Sequence, residues 1–378
     1  MTTDRAAATL DWAAVVQERA AQKVTALANR VGGAFLHATV DGRYTPVEGE
    51  WWTSGFWPGM LWLVYQRTRD ERLAALARQA EDELEQLLLD DRFYELHHDV
   101  GFQFIPTSLA NYKITGNTNA RRRSVLAASL LMGRFNVAGN FFEAWNGERR
   151  RGMSIIDTMM NLPLLFWTAE ETHQPRFRHM AEAHAQMAQQ QFVRPDGTTN
   201  HIVRFNQETG EPIEPLGGQG YAPDSTWSRG QSWALYGFTL AYRYTGKTTY
   251  LNTARLVADN FVAALPKEGV PPWDFRVPDV ETAPRDSSAG AVAASGLLEL
   301  AFLLPENEGE PYRQSGIKLL DALNEHCATW DQPEQDALLL HATGKLPENQ
   351  NIDVSLIYGD YYFLEALGKL NGITQTCW

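Results

Sequence analysis

The stretch FWPGMLWLVYQRTRDERLAALARQAEDELEQLL, from Phe56 to Leu88, decides the fold. From Leu61 to Tyr65 it is hydrophobic nearly all round, which suits a buried inner helix. A threonine-led turn at Thr68 follows. From Leu73 to Leu89, leucines and alanines recur at helical spacing with charges between them, which predicts a helix with one face in water. The unit is a hairpin: inner helix, turn, outer helix.

Three further segments repeat it: FIPTSLANYKITGNTNARRRSVLAASLLMGRF from Phe104, NLPLLFWTAEETHQPRFRHMAEAHAQMAQQQF from Asn161, and QSWALYGFTLAYRYTGKTTYLNTARLVADNFV from Gln231. Their turn threonines are Thr115, Thr172 and Thr245. A fifth unit runs from Ser288 through the Pro305–Tyr312 turn to His326. The last helix, Tyr358 to Leu370, has no partner after it, and the first, roughly Leu10 to Ala28, has none before it. Pairing these two makes a sixth hairpin and closes a ring. The expected fold is all-α, an (α/α)6 toroid, with residues 1–378 as one domain, a length that barrel-like folds hold as a unit. No long alternating pattern of a β-sheet competes.

Composition narrows the function. The net charge of −13 opposes nucleic-acid binding, and the basic residues form no long stripe. Dense basic runs occur at Arg121-Arg122-Arg123 and Glu148-Arg149-Arg150-Arg151, each read as a solvated face or loop. No apolar run is long enough for a membrane span, and the N-terminal stretch bearing Asp11, Glu18 and Lys23 is amphipathic, unlike a signal core. The two cysteines, Cys327 and Cys377, make no disulfide framework, so a cytoplasmic location is expected. Twelve tryptophans are many, and several lie in polar loops where core packing does not explain them.

Those loops all enter inner helices from one end of the expected toroid, so their residues converge on one mouth. They carry Trp51-Trp52, His97-His98-Asp99, Glu143 to Trp145, Ile155-Ile156-Asp157, Asn200-His201, Gln219, Asp224 to Trp233, Trp273-Asp274, Arg285-Asp286 and Gly359-Asp360. Carboxylates, imidazoles and indoles at one rim suit a sugar site, because indoles stack on pyranose faces while polar groups satisfy hydroxyls. Asp157 sits in an apolar run, where burial raises a carboxyl pKa toward that of a proton donor. It is equally placed to cap the helix that ends at Trp167. Asp99 reads as a site residue or a turn residue. Adjacent His97 and His98 are expected to point apart, and no His-Glu-x-x-His or Cys-x-x-Cys spacing occurs, so no metal site is expected. Asp286 reads as a helix cap, Asp274 and Asp360 as loop anchors, and His184 as structural. Nucleotide and serine-hydrolase motifs are absent.

Taken together, Trp52-Thr-Ser-Gly-Phe-Trp-Pro-Gly, His97-His98-Asp99-Val-Gly-Phe, Ile155-Ile156-Asp157 with Asn161-Leu-Pro-Leu-Leu, and Asp224-Ser-Thr-Trp227-Ser-Arg229-Gly-Gln231-Ser-Trp233 resemble the unsaturated glucuronyl hydrolases of glycoside hydrolase family 88. Trp273-Asp-Phe, Arg285-Asp-Ser-Ser-Ala and Gly359-Asp-Tyr-Tyr extend the resemblance over nearly the whole chain. It implies the same toroid, no metal or organic cofactor, and an unsaturated uronate-containing oligosaccharide as substrate. By that resemblance Asp157 protonates carbon 4 of a 4,5-unsaturated uronic acid at the non-reducing end and then assists water at carbon 5. Asp99 holds ring hydroxyls and shapes the charge. His98, His201, Gln219, Trp227, Arg229 and Trp233 would contact the unsaturated ring, with Trp52 and Trp145 as aromatic walls. Alternatives are an unsaturated rhamnogalacturonyl hydrolase acting on pectin fragments, a non-catalytic sugar-binding toroid, or an isomerase on the same scaffold. Two positions depart from the family: Ser54 where many relatives are acidic, and Gly217-Gly218 where a basic or imidazole side chain often precedes the glutamine. Lys345 in the last loop reads as a solvated lysine, or alternatively as compensation for the second.

Overall fold

Thr68, Thr115, Thr172 and Thr245 each end an inner helix in the computed structural model, which describes residues 2–373 and 377–378. Each threonine hydroxyl donates back to the carbonyl four residues earlier, at 2.9, 2.8, 2.6 and 2.6 Å respectively. The next residue turns left-handed: Arg69, Gly116, His173 and Gly246 all have positive φ. A left-handed residue just past a helix satisfies its last carbonyls and reverses the chain. The repeated threonine is thus the physical mark of a helix end.

The inner helices are α2 (Phe56–Thr68), α4 (Val100–Phe104) running into α5 (Ala110–Thr115), α7 (Leu162–Thr172), α9 (Ser228–Thr245), α11 (Ser287–Leu303) and α13 (Ile357–Leu370). Their outer partners are α3 (Glu71–Leu89), α6 (Thr118–Met132), α8 (Pro175–Gln191), α10 (Thr248–Ala264), α12 (Glu306–His326) and, for α13, the N-terminal α1 (Thr2–Val31). Contact between α1 and α13 closes the ring of six hairpins. Every residue of α2 from Phe56 to Tyr65 and of α11 from Ser287 to Leu300 is buried, whereas α3 keeps a solvated face. One continuous hydrophobic cluster extends from Ala13 to Trp378.

Several boundaries differ from the sequence reading. Helix α1 runs beyond both ends of the expected Leu10–Ala28 span. The second inner helix starts at Val100 rather than Phe104, with a π-helical turn over Ile105–Leu109. Pro106 lies in that turn and has no N–H for the helical ladder, which accounts for the irregular register. Short strands also line the mouth, below the length at which alternation shows. These are the hairpin β1 (Phe35–Val40) with β2 (Arg43–Val47), the pair β3 (Phe135–Asn136) with β4 (Phe141–Phe142), and β5 (Met153–Ile155), β6 (Ile202–Phe205) and β7 (Pro212–Leu216). The last sheet carries the chain from β5 straight into the 3-10 turn Ile156–Met160, which holds Asp157. Inner helices that run parallel bring their N-termini together, and the positive ends of their dipoles favour an anion at this mouth. No described helix is long and apolar enough to cross a membrane.

Candidate active site

Asp157 caps no helix. It occupies the middle of a 3-10 turn, α7 starts after Asn161, and no side-chain cap hydrogen bond forms there. Asp99 precedes α4 and likewise makes no side-chain cap. Two bridges lock these turns together. Asn161 Oδ1 accepts from Phe102 N at 2.8 Å while its amide nitrogen reaches Asp157 O at 3.4 Å. Thr158 Oγ1 lies 2.8 Å from His98 Nδ1. A polar residue in the apolar Ile155–Leu165 run was the available signal for Thr158, which the sequence reading passed over.

Both carboxylates are largely buried, yet their environments differ. Burial raises the Asp157 carboxyl to about 8, and the nearby negative charge of Asp99 adds to the rise. Asp99 also feels burial, but His98, His97 and Arg134 outweigh it and hold its carboxyl below the usual range. The two imidazoles do not diverge as expected. His97 Nδ1 stands 3.0 Å and His98 Nε2 3.3 Å from different oxygens of Asp99, with the rings stacked at 5.8 Å. The reason is local: the chain turns through this segment, so the alternation of a regular element does not apply. The three side chains bring their donor atoms within 4.8 Å of one another. Burial lowers His98 to about 4, so its ring is neutral at pH 7. Its proton faces the Asp99 anion from Nε2, leaving Nδ1 to accept from the Thr158 hydroxyl.

His201 approaches Asp157 from the other side. Its Nδ1 accepts from Gln219 N at 2.9 Å, which places the ring proton on Nε2. Burial lowers His201 to about 3, with the charges of Arg229 and Lys345 helping, so the ring is neutral. His201 Nε2 and Asp157 Oδ2 lie 3.9 Å apart, and neither has a hydrogen-bond partner. Buried polar atoms are rarely left unpaired, and two facing each other at this separation mark a place for a ligand's polar group. Gly218 explains one departure from the family pattern. Its φ is +60°, and an added Cβ would come within 2.2 Å of His201 Nδ1. No side chain fits there without displacing the imidazole.

Arg229 is less free than a substrate-binding cation should be. It is fully buried against Asp286, and its other donors reach Thr343 O at 2.8 Å, Gly344 O at 2.7 Å and Gln219 Oε1 at 3.0 Å. The rings of Trp227 and Tyr358 lie at 4.6 and 5.3 Å from the guanidinium. Asp286 therefore both caps α11 and neutralises Arg229. Since Gln219 gives its carbonyl end to Arg229, its amide N–H end is left to face elsewhere. Trp227 also packs against His201, with ring centroids 4.3 Å apart. Trp52 stands half-buried beside Tyr358 at 4.8 Å. Trp233 has no exposed surface and packs between Phe102 and Tyr362, with its indole N–H buried and unpartnered. Trp145 has an apolar cluster to belong to after all, packing against Ala144, Ile155 and Ile202, with His98 at its edge 6.4 Å away.

The remaining sequence readings are located too. Asp274 accepts from Tyr221 N, Thr226 N and Ser225 Oγ, and Asp360 from Leu338 N, Leu339 N and the Tyr44 hydroxyl. His184 is buried and accepts from Phe142 N. Ser54 is buried with its hydroxyl unpartnered. Lys345 pairs with Glu348 at 2.5 Å. His37 was missed: it lies among Trp51, Trp52 and Tyr358, and nothing in its flanking sequence marks it.

One carboxylic acid kept neutral beside one kept ionised, in an aromatic cleft, defines an acid–base enzyme of the sugar-cleaving class. Comparison with known proteins agrees. The Glycosyl Hydrolase Family 88 profile matches residues 27–323, and the chain belongs to that family. It is 37% identical over 354 residues to the unsaturated glucuronyl hydrolase of Bacillus sp. (strain GL1), covering 91% of this chain and 93% of that one. To the unsaturated chondroitin disaccharide hydrolase of Streptococcus pyogenes serotype M1 it is 36% identical, over 87% of this chain and 84% of the relative. The crystal structure of the Bacillus sp. GL1 enzyme, described as responsible for the degradation of glycosaminoglycan, superposes with a TM-score of 0.92 at 35% identity, over 96% of this chain and 98% of that one.

The coupling between the two carboxylates gives a direct test. Replacing Asp99 with asparagine removes the charge that disfavours ionised Asp157, so the Asp157 pKa should fall from about 8 while burial still holds it above the ordinary value. Asp99→Asn should therefore fold and melt cooperatively, turn over poorly, and show its alkaline loss of kcat/KM at lower pH than the parent. An alkaline limb that stays in place would mean the two groups are not coupled.

Proposed function

We propose that this enzyme releases the 4,5-unsaturated uronic acid from the non-reducing end of short, lyase-generated acidic oligosaccharides of the glycosaminoglycan type. The observation that carries this reading is the protonated Asp157 facing neutral His201 across 3.9 Å, with ionised Asp99 on the other side. Asp157 donates its proton to carbon 4 of the enol ether, and the resulting cation is stabilised by the ring oxygen. As carboxylate it then takes a proton from water attacking carbon 5. The hemiketal opens, the glycosidic bond breaks and a keto-uronate leaves. Asp99, oriented by His97 and by the fully buried His98, holds ring hydroxyls, while His201 Nε2–H steadies the polar group beside Asp157.

In this reading the Gln219 amide donates to the substrate carboxylate, and Arg229 orients that amide rather than meeting the carboxylate itself. Trp52 and Trp145 wall the ring, Trp227 supports His201 and Arg229, and Trp233 forms the floor. Residues 1–378 make one catalytic domain. No metal or organic cofactor is needed, because protonation and hydration require only the acid, the base and water. Free, buried Cys327 and Cys377 fit a reducing, cytoplasmic setting.

The test is a panel of unsaturated chondroitin, hyaluronan, heparin and pectin disaccharides, followed by loss of ultraviolet absorbance from the conjugated double bond. Turnover of the glycosaminoglycan disaccharides with release of the uronate is expected. Turnover of the pectin disaccharide alone would favour a rhamnogalacturonyl hydrolase, and loss of absorbance without cleavage would defeat the hydrolase reading.

A further inference from the structure

The chain has two arginine triplets, and the structure treats them differently. Arg121, Arg122 and Arg123 are all consumed by ion pairs, with Glu171, Glu85 and the Glu81/Asp82/Glu85 group respectively. Arg149, Arg150 and Arg151 are exposed, and none of them pairs with a carboxylate among the described residues. In a chain with a net charge of −13, three adjacent unpaired cations are unusual. Neighbouring Glu148 is exposed as well, so the local run keeps a positive balance. Glu143, the next nearest acid in sequence, is already occupied by Gly152 N at 2.8 Å and Gln207 Nε2 at 3.0 Å.

The position of the triplet gives it meaning. It forms the tip of the turn between β4 and β5, and β5 leads directly into Asp157. The Arg150 guanidinium lies 5.5 Å from the Trp145 ring, whose edge in turn faces His98 at 6.4 Å. The turn is braced rather than loose. Ala144 N donates to Met153 O at 2.8 Å, and Asn146 is held by Arg134 at 2.8 Å and by Tyr94 O at 2.7 Å. Arg150 is thus held beside the aromatic wall of the site, with Arg149 and Arg151 its exposed neighbours on the same short turn.

From this we infer that Arg149, Arg150 and Arg151 form a subsite for a second anionic group of the substrate, borne by the sugars beyond the bond that is cleaved. The inference rests on the proposed function and adds to it. Such a group is either a sulfate ester on the leaving sugar or the carboxylate of a further uronate in a longer fragment. Both suit guanidinium groups, which bind planar or tetrahedral oxyanions through paired N–H donors. The subsite also offsets the repulsion that an acidic protein exerts on a polyanion.

The experiment uses Arg149→Gln/Arg151→Gln, leaving Arg150 on Trp145. Three substrates are compared: an unsulfated unsaturated disaccharide, a sulfated one, and an unsulfated tetrasaccharide with a second uronate. The double variant should raise KM about tenfold or more for whichever substrate carries the second anion in reach, with kcat unchanged, the size expected for lost charge-assisted hydrogen bonds. For the unsulfated disaccharide, KM should stay within about twofold and the salt dependence of kcat/KM should be shallow. A response to the sulfated disaccharide identifies sulfate, and a response to the tetrasaccharide identifies carboxylate. Calorimetric binding of the sulfated disaccharide and of the tetrasaccharide to both proteins provides a readout independent of turnover. If parent and variant bind each of these equally, or if all three substrates weaken alike, the subsite does not exist. Failure of the parent to cleave any of them would instead overturn the proposed function.

Discussion

Asp157→Asn should cut kcat by at least about 100-fold, the usual scale of a general-acid contribution, and should at the same time make the protein more stable. The two effects have one cause. In the folded protein burial holds the Asp157 carboxyl at about 8, whereas in the unfolded chain it titrates near the ordinary 3.8. The native state therefore retains a proton that the unfolded state has lost over the whole interval between those values. Stability from this group is greatest at the acid end and declines as pH rises through the window, levelling off above about 8. Asparagine cannot ionise, so the variant escapes that decline. Its melting temperature should exceed that of the parent by a margin that widens from pH 5 to pH 8, while a non-hydrolysable substrate analogue still binds. A residue that merely holds a loop would give the reverse: lower stability with turnover largely intact. In the parent, kcat/KM should fall as pH passes about 8, because the proton donor of the free enzyme is then ionised.

What could be read in advance was the part that local chemistry repeats. Thr68, Thr115, Thr172 and Thr245 announce helix ends because each hydroxyl back-bonds within its own turn, so the hairpins and their order are legible. The closure of α1 on α13 follows from one unpaired helix at each end of the chain. By contrast, the β-hairpin at Phe35–Val47 and the strands around Asp157 are too short for a period of two to stand out. Within the site, the apolar surroundings of Asp157 point correctly to a raised pKa, because burial is visible in the neighbouring residues. The depression of Asp99 is not visible in the same way, because it depends on how His97 and His98 fold back around it. Arg229 illustrates the limit most clearly. Its charge suggests a ligand, but Asp286, fifty-seven residues away, already neutralises it. Likewise the two arginine triplets look alike as sequence, and only their partners separate a structural cluster from a free one.

The second large effect concerns the bond order of the substrate. Hydration needs an enol ether, because protonating carbon 4 of the double bond generates a cation that the ring oxygen can share. Glycosidases of the usual kind instead place two carboxylates about the anomeric carbon and need only an intact acetal. Here the neutral acid facing His201 is Asp157, and Asp99 is committed to two histidines. A saturated glucuronide matching the unsaturated substrate in every other respect should therefore remain uncleaved over times in which the unsaturated one is consumed. The most direct test is the position of solvent hydrogen in the product. With the reaction run in heavy water and the product examined before its ketone exchanges neighbouring hydrogens, hydration by Asp157 predicts one deuterium at carbon 4. A released uronate with no deuterium at carbon 4 would contradict it.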